Sequence, residues 1–136
     1  MRVLFDTNII IDVLTKRDGY EESLSLIQYC ELGTVEGVVS ATTVTDVVYI
    51  LRKYLSPVAV RDALQTLLLI VDVASVSKGD ISAAFLSGMR DFEDAVQSAC
   101  ALRIGASYIV TRNLKDFEKS AVPAISPRAM LDILSD

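Results

Sequence analysis

The acidic residues of this chain fall where a sheet and its flanking helices could bring them together. Asp6 closes the run Arg2-Val3-Leu4-Phe5, where a short buried strand should stop. Asp46 sits among Thr and Val in an otherwise apolar helical stretch, and Asp94 lies in the first turn of another helix. Asn113 and Asp116 follow a further apolar run, Tyr108-Ile109-Val110-Thr111. Hard carboxylate oxygens in such positions suit a divalent cation, Mg²⁺ or Mn²⁺. The chain contains no histidine, which removes the commonest general base and nucleophile activator.

Each residue also has a plainer reading. Asp6 could be a turn residue or a helix cap. Asp46 has Thr42, Thr43, Tyr49 and Ile50 as its helical neighbours. A carboxylate there is costly unless paired or bound to a cation, or else it is a partly exposed acid near a helix start. Asp94 is explained by the helix dipole alone, which favours acids in a first turn. Glu93 is the alternative to it, since adjacent helical residues point about 100° apart. Asn113 reads equally as the cap of an ordinary strand-to-helix turn, and Asn8 as the cap of the first helix.

Positioning these residues requires a particular order of elements. Arg2–Phe5 reads as a first strand, followed by a helix with Ile9, Ile10, Val13 and Leu14 buried and broken by Gly19. Tyr20–Leu32 is a second helix with Leu24, Ile27 and Leu32 inward, ended by Gly33. Residues 35–39 form a second strand. Ser40 caps a helix from Ala41 to about Tyr54, with Val44, Val47, Val48 and Leu51 as its apolar face, and Ser56-Pro57 opens another. A third strand spans residues 70–76, and helices span 78–87 and 93–104, the latter capped by Asp91 and stopped by Gly105. Residues 107–111 form a fourth strand and 121–125 a short fifth, before a last helix from Pro127. Strands alternating with helices predict a parallel sheet of four to five strands covered on both faces, a three-layer α/β/α sandwich. Right-handed crossovers place every strand's C-terminal end on one edge, where ligands of such sheets bind. Residues 1–136 are expected to form a single domain.

Composition narrows the classes. Apolar residues make up 51% of the 136 and charged residues 23%, a globular balance. No apolar run approaches the roughly 18 residues a membrane span needs. No extended apolar region precedes a cleavage site at the N-terminus, so a signal peptide is not expected. Cys30 and Cys100 are isolated in helical stretches and read as buried free thiols. Together these features predict a cytoplasmic protein. The net charge of −5 argues against extended binding to a duplex, but not against a small site where metal ions meet one phosphate. A mean hydropathy of +0.42 predicts a further apolar surface and a homodimer, through Tyr20–Leu32 or Ala41–Leu69.

The joint order of these segments resembles the PIN domain family over essentially the whole chain. Val3-Leu4-Phe5-Asp6-Thr7-Asn8-Ile9 resembles its opening strand and first acid. Asp91-Phe92-Glu93-Asp94-Ala95-Val96-Gln97, with Ala101 beyond, resembles its third-acid helix. Ser107 to Asn113, followed by Asp116-Phe117, resembles its closing motif, and Ser126-Pro127-Arg128 also fits. The resemblance implies a divalent-metal-dependent ribonuclease, within the VapC-like group of toxins from toxin–antitoxin pairs, with an antitoxin as protein partner. Carried over by position, Asp6, Asp46 and Asp94 match the first three acids. Asp46 stands where the family often has Glu, one methylene shorter. The fourth acidic position falls on Asn113, a neutral oxygen ligand, with Asp116 close enough to compensate.

The expected chemistry is phosphodiester hydrolysis. Asp6 and Asp94 would be direct metal ligands, with Asp46 and Asp116 completing the set. Asn113 would act beside them, and Thr111, Arg112 and Asn8 would contact substrate, with Lys115 a further phosphate contact. Four clustered carboxylates would repel one another in an empty site. Two rivals remain. A phosphatase with Asp6 as covalent nucleophile wants a second Asp where Asn8 stands. A PIN-like module that has lost turnover and binds RNA or a protein partner fits Asn113, the short Asp46 and the acidic net charge.

Overall fold

The computed structural model describes all residues, 1–136. In chain order the elements are β1 (Arg2–Phe5), α1 (Thr7–Thr15), α2 (Tyr20–Glu31), β2 (Glu36–Ser40), α3 (Ala41–Leu51), α4 (Pro57–Leu67) and β3 (Asp72–Ala74). They continue with α5 (Lys78–Leu86), α6 (Phe92–Arg103), β4 (Tyr108–Val110), a 3-10 turn (Leu114–Phe117), β5 (Ala124–Ile125) and α7 (Pro127–Leu134). The five strands form one parallel sheet in the order β3-β2-β1-β4-β5. Leu4 pairs with Val38 on one side and Ile109 on the other.

The sheet sorts its side chains by period two. Val3, Phe5, Val39 and Val110 point into the larger core with Ile9, Ile10, Leu26, Leu51, Leu64 and Met130, so α1–α4 and α7 cover that face. Leu4, Val38 and Ile109 point the other way, onto Ala101 and Phe117. There α6 covers the sheet, and α5 packs on α6 through Ala84, Ala95 and Val96. Arg103 Nε donates to Asp80 Oδ1 at 3.0 Å, tying α6 to α5. The result is the three-layer α/β/α arrangement.

Gly37 in β2 leaves no room for a side chain. A Cβ there would stand 2.6 Å from Cys30 Sγ and 2.7 Å from Phe5 Cε2. Cys30 and Cys100 are both buried free thiols, and burial pushes Cys30 up to about 11. No helix is long and apolar enough to cross a membrane.

Several sequence expectations require correction. The third strand covers only Asp72–Ala74 of the expected 70–76, because Ile70 and Val71 belong to the turn that ends α4, their N–H groups donating to the Leu67 carbonyl. Helix α3 stops at Leu51, not near Tyr54. Leu24 and Leu32 do not face in. Leu32 is 77% exposed at the C-cap of α2, and Leu26, Ile27 and Cys30 make the buried face instead. Val48 is also exposed, whereas Val47 and Leu51 are fully buried. The first helix starts one residue before Asn8, with Asp6 in the cap position.

Candidate active site

The order β3-β2-β1-β4-β5 reverses direction at β1, since the chain builds leftward through β2 and β3 and then returns to add β4 and β5. The C-terminal ends of β1 and β4 therefore flank a switch-point crevice, the usual ligand position in open parallel sheets. A cleft of about 430 Å³ opens beside them, lined by twelve residues of which two, Tyr49 and Ile50, are hydrophobic. Its carboxyls come from Asp6, Asp46, Asp91, Glu93, Asp94 and Asp116, and Thr7, Asn8, Gln97 and Asn113 complete the lining.

Asp6 is the buried centre, 3% exposed. Gln97 Nε2 donates to its Oδ1 at 3.0 Å, and Thr111 Oγ1 donates to its Oδ2 at 2.8 Å. Gln97 and Thr111 are themselves buried, so the carboxylate is held in one orientation by donors from α6 and from the end of β4. Its backbone is extended at the cap of α1, yet its side chain makes no capping bond. The residue that could cap the helix is turned to the cleft instead, and the open helix N-terminus favours negative charge nearby.

The other acids are placed by independent devices. Thr7 and Thr43 hydroxyls hydrogen-bond at 2.9 Å, clasping α1 to α3 one turn before Asp46. Ser40 caps α3 by accepting from the Thr43 N–H. Asp91 caps α6 by accepting from the Asp94 N–H at 2.9 Å, which leaves the Asp94 side chain free. Beyond β4, the Asn113 N–H donates to Thr111 Oγ1 and the Asp116 N–H to the Asn113 carbonyl, each at 3.0 Å. Phe117, buried in the second core cluster, anchors that turn.

The cleft is electrostatically unfavourable as it stands. Burial, then the charges of Asp91, Asp6 and Asp116, push Asp94 up to about 7. Glu93 is pushed up to about 8, first by a hydrogen bond with Asp46, then by burial and by the charges of Asp46, Asp91 and Asp94. With both acids ionised, Asp46 Oδ2 is buried and lacks a donor; a proton kept on Glu93 joins the two carboxyls.

These observations fit a hard divalent cation. The carboxylates repel one another, and two buried oxygens of the lining, Asp46 Oδ2 with the acids ionised and Gln97 Oε1, have no donor. The side chains are not drawn up as a preformed cluster of three around one point.

Of the residues singled out by sequence, Asp6, Asn8, Asp46, Asp94, Asn113 and Asp116 all line this cleft. Thr111 does not: it is fully buried and holds Asp6, so its hydroxyl has no access to substrate. Arg112 is also elsewhere, with Nε 2.5 Å from Oδ2 of the buried Asp12. Burial raises the Asp12 pKa, and Arg112 and Arg17 oppose that rise. Lys115 is exposed and outside the lining. Gln97 was missed by sequence reasoning, although it lies three residues beyond Asp94 and is polar in an otherwise small, apolar stretch. Asp91 was read only as a cap, and Glu93 only as a substitute for Asp94; the structure puts both in the cleft alongside it.

A family model described as PIN domain matches residues 2–115. Among solved structures, the chain is similar to a toxin–antitoxin complex from Klebsiella pneumoniae, at 25% identity and a TM-score of 0.69, covering 92% of this chain and 97% of that one. It is similar in fold to VapBC2 from Rickettsia felis, solved bound to a DNA fragment from the promoter, at 17% identity and a TM-score of 0.73, covering 93% and 98%. It is likewise similar in fold to VapC20 from Mycobacterium tuberculosis, a sarcin–ricin loop cleaving toxin, at 16% identity and a TM-score of 0.64, covering 88% and 93%. No curated protein matches the chain in sequence. With most of its length matched by the family model, the chain belongs to the PIN domain family.

Proposed function

We propose that this chain is a divalent-metal-dependent endoribonuclease, residues 1–136 acting as one PIN-like unit. The observation that carries the reading is the buried Asp6 carboxylate, clamped by Gln97 and Thr111 at the floor of a cleft walled by five further acids. Family membership supports nuclease chemistry. Mg²⁺ or Mn²⁺ bound there would supply a Lewis acid that activates water and offsets charge on the phosphate. Asp6 and Asp94 would hold the ion directly, Asp6 because it is already oriented and Asp94 because its carboxyl makes no other bond. Asp46 and Glu93 face each other across the junction of α3 and α6 and would orient the attacking water or retain a proton. Asp116 and Asn113 would complete the oxygen set, with Asn113 lowering the negative charge the substrate phosphate meets. Asn8, at the open end of α1, would contact the substrate.

The likeness to a chain of the Klebsiella pneumoniae complex supports a toxin role, with an antitoxin protein as partner; a ribonuclease acting on cellular RNA would work in the cytoplasm. Exposed Leu32, Tyr54, Val58 and Leu69 on and beside α2–α4 support pairing of two copies. A PIN-like module without turnover is the competing reading, favoured by Asn113 and by the absence of a preformed three-acid cluster.

The test is cleavage of a mixed single-stranded RNA pool with Mn²⁺, with Mg²⁺ and with EDTA, using wild type, Asp6→Asn and Asp94→Asn. Metal-dependent cleavage lost in both variants is the expected result. No cleavage by a wild-type protein that binds Mn²⁺ would transfer the case to the binding-module reading.

A further inference from the structure

The acidic cleft has one wall of a different character. Tyr49 and Ile50 are its hydrophobic lining residues, and Tyr49 keeps 57% of its surface exposed. It lies three residues beyond Asp46 on α3, about 4.5 Å further along the helix axis. The Arg52 guanidinium carbon stands 3.8 Å from the centroid of its ring. A guanidinium over an aromatic face is attracted by the ring quadrupole and holds the ring in place. Arg52 is exposed, so the rim that carries the tyrosine also carries a cation beside a cleft of repelling carboxylates. The ring is held at the mouth of the site, not folded onto the core.

We propose that Tyr49, braced by Arg52, is a stacking platform for one unpaired nucleobase of the RNA, next to the phosphate that enters the cleft. This rests on the ribonuclease reading and names the side chain that would meet an unpaired base of its substrate. Bases in an A-form duplex are paired and stacked on one another, and single-stranded segments are the ones that splay bases onto aromatic rings. Stacking tolerates any base and is strengthened by a nearby arginine. Arg52 supplies positive charge for the RNA backbone at the mouth of an acidic cleft. The other exposed aromatic pair, Phe85 and Phe92, has ring centroids 4.7 Å apart, lies outside the cleft lining and has no comparable cation over it. Tyr54 is exposed as well but is not part of the lining, so Tyr49 is the ring that a nucleotide in the cleft would meet.

The test is equilibrium binding of a fluorescein-labelled, unstructured twelve-nucleotide RNA to Asp6→Asn protein in Mn²⁺, so that nothing is cleaved. Tyr49→Ala, Tyr49→Phe and Tyr49→Trp are compared in that background, on the same strand with and without abasic sites. Tyr49→Ala should weaken binding roughly 5- to 150-fold, and Phe and Trp, which keep the ring face, should bind like the parent. On the abasic strand the difference between Tyr49 and Ala should disappear. Equal binding by Tyr49→Ala, or an equal loss on both strands, overturns the platform and leaves the ribonuclease reading intact. If Tyr49→Ala instead turns a dimer into a monomer in light scattering with RNA binding unchanged, the face belongs to a second copy and the platform is overturned. No RNA binding by the parent, together with no cleavage by wild type, overturns both.

Discussion

Neutralising a carboxylate in the cleft should stabilise the metal-free fold while removing activity. Asp94 is the best place to measure this. Its ordinary value is 3.8, and burial with the charges of Asp91, Asp6 and Asp116 pushes it up to about 7. An acid whose value is raised by folding costs nothing below its unfolded value, where it is protonated in both states. Between about pH 4 and pH 7 only the unfolded chain gives up the proton, so this group's contribution falls as pH rises, and above 7 the full penalty applies. A shift of roughly three units corresponds to a ceiling of about 4 kcal/mol. Asp94 is only partly buried, and solvent screening leaves about 1–2 kcal/mol. For 136 residues that is a gain in Tm of about 3–7 °C. The assay is thermal unfolding of wild type and Asp94→Asn in EDTA at pH 4 and at pH 8. The variant should melt higher at pH 8, and the two should coincide at pH 4. With saturating Mn²⁺ the order at pH 8 should reverse, because the wild type gains more from the ion. A variant that melts lower at pH 8 in EDTA, or a difference that does not change with pH, would refute the electrostatic argument.

Three further outcomes follow from particular contacts. Thr111→Val removes the 2.8 Å bond to Asp6 and the acceptor of the Asn113 N–H; it should cost about 1–3 kcal/mol in urea unfolding and lower RNA cleavage with little change in KM. Arg112→Ala leaves the buried Asp12 with only Arg17, at 3.8 Å; it should cost about 3 kcal/mol, and much less when Asp12→Asn is also present, as a double-mutant cycle would read. Gly37→Ala puts a methyl 2.6 Å from Cys30 Sγ; it should lower stability by about 1–3 kcal/mol, and adding Cys30→Ala should recover part of that loss.

The sequence carried the architecture well because its signals were local and periodic. The unbroken apolar runs Val3-Leu4-Phe5 and Val38-Val39 are legible as strands buried on both faces, Ser40 and Asp91 are caps that the structure bears out, and Pro57 and Pro127 open their helices as expected. The strand at Asp72–Ala74 was overestimated because apolar Ile70 and Val71 extend the pattern into a turn. Leu24 and Leu32 misled for a related reason: apolar type alone does not reveal which stripe of α2 meets the sheet. At the site, the acids stood out by being charged in apolar surroundings. What could not be read was what holds them. Thr111 was assigned to substrate and proved to be a buried donor to Asp6. Gln97 is 91 residues from its partner, and no local spacing links the two. The destination of Arg112 depended on Asp12, which the sequence shows only as one more acid in a helix.

That long separation bears on how the protein comes into being. The two bonds that orient Asp6 span 91 and 105 residues. Contacts of such range form only after the intervening chain has collapsed around them, and they are slow to close. At translation rates of roughly 5–20 residues per second, residue 111 follows residue 6 by roughly 5–20 s. During that interval the carboxylate of Asp6 has neither donor. A growing chain thus carries the acid of its site from the start but not the geometry, and any latent reactivity toward the RNA around it awaits the arrival of β4.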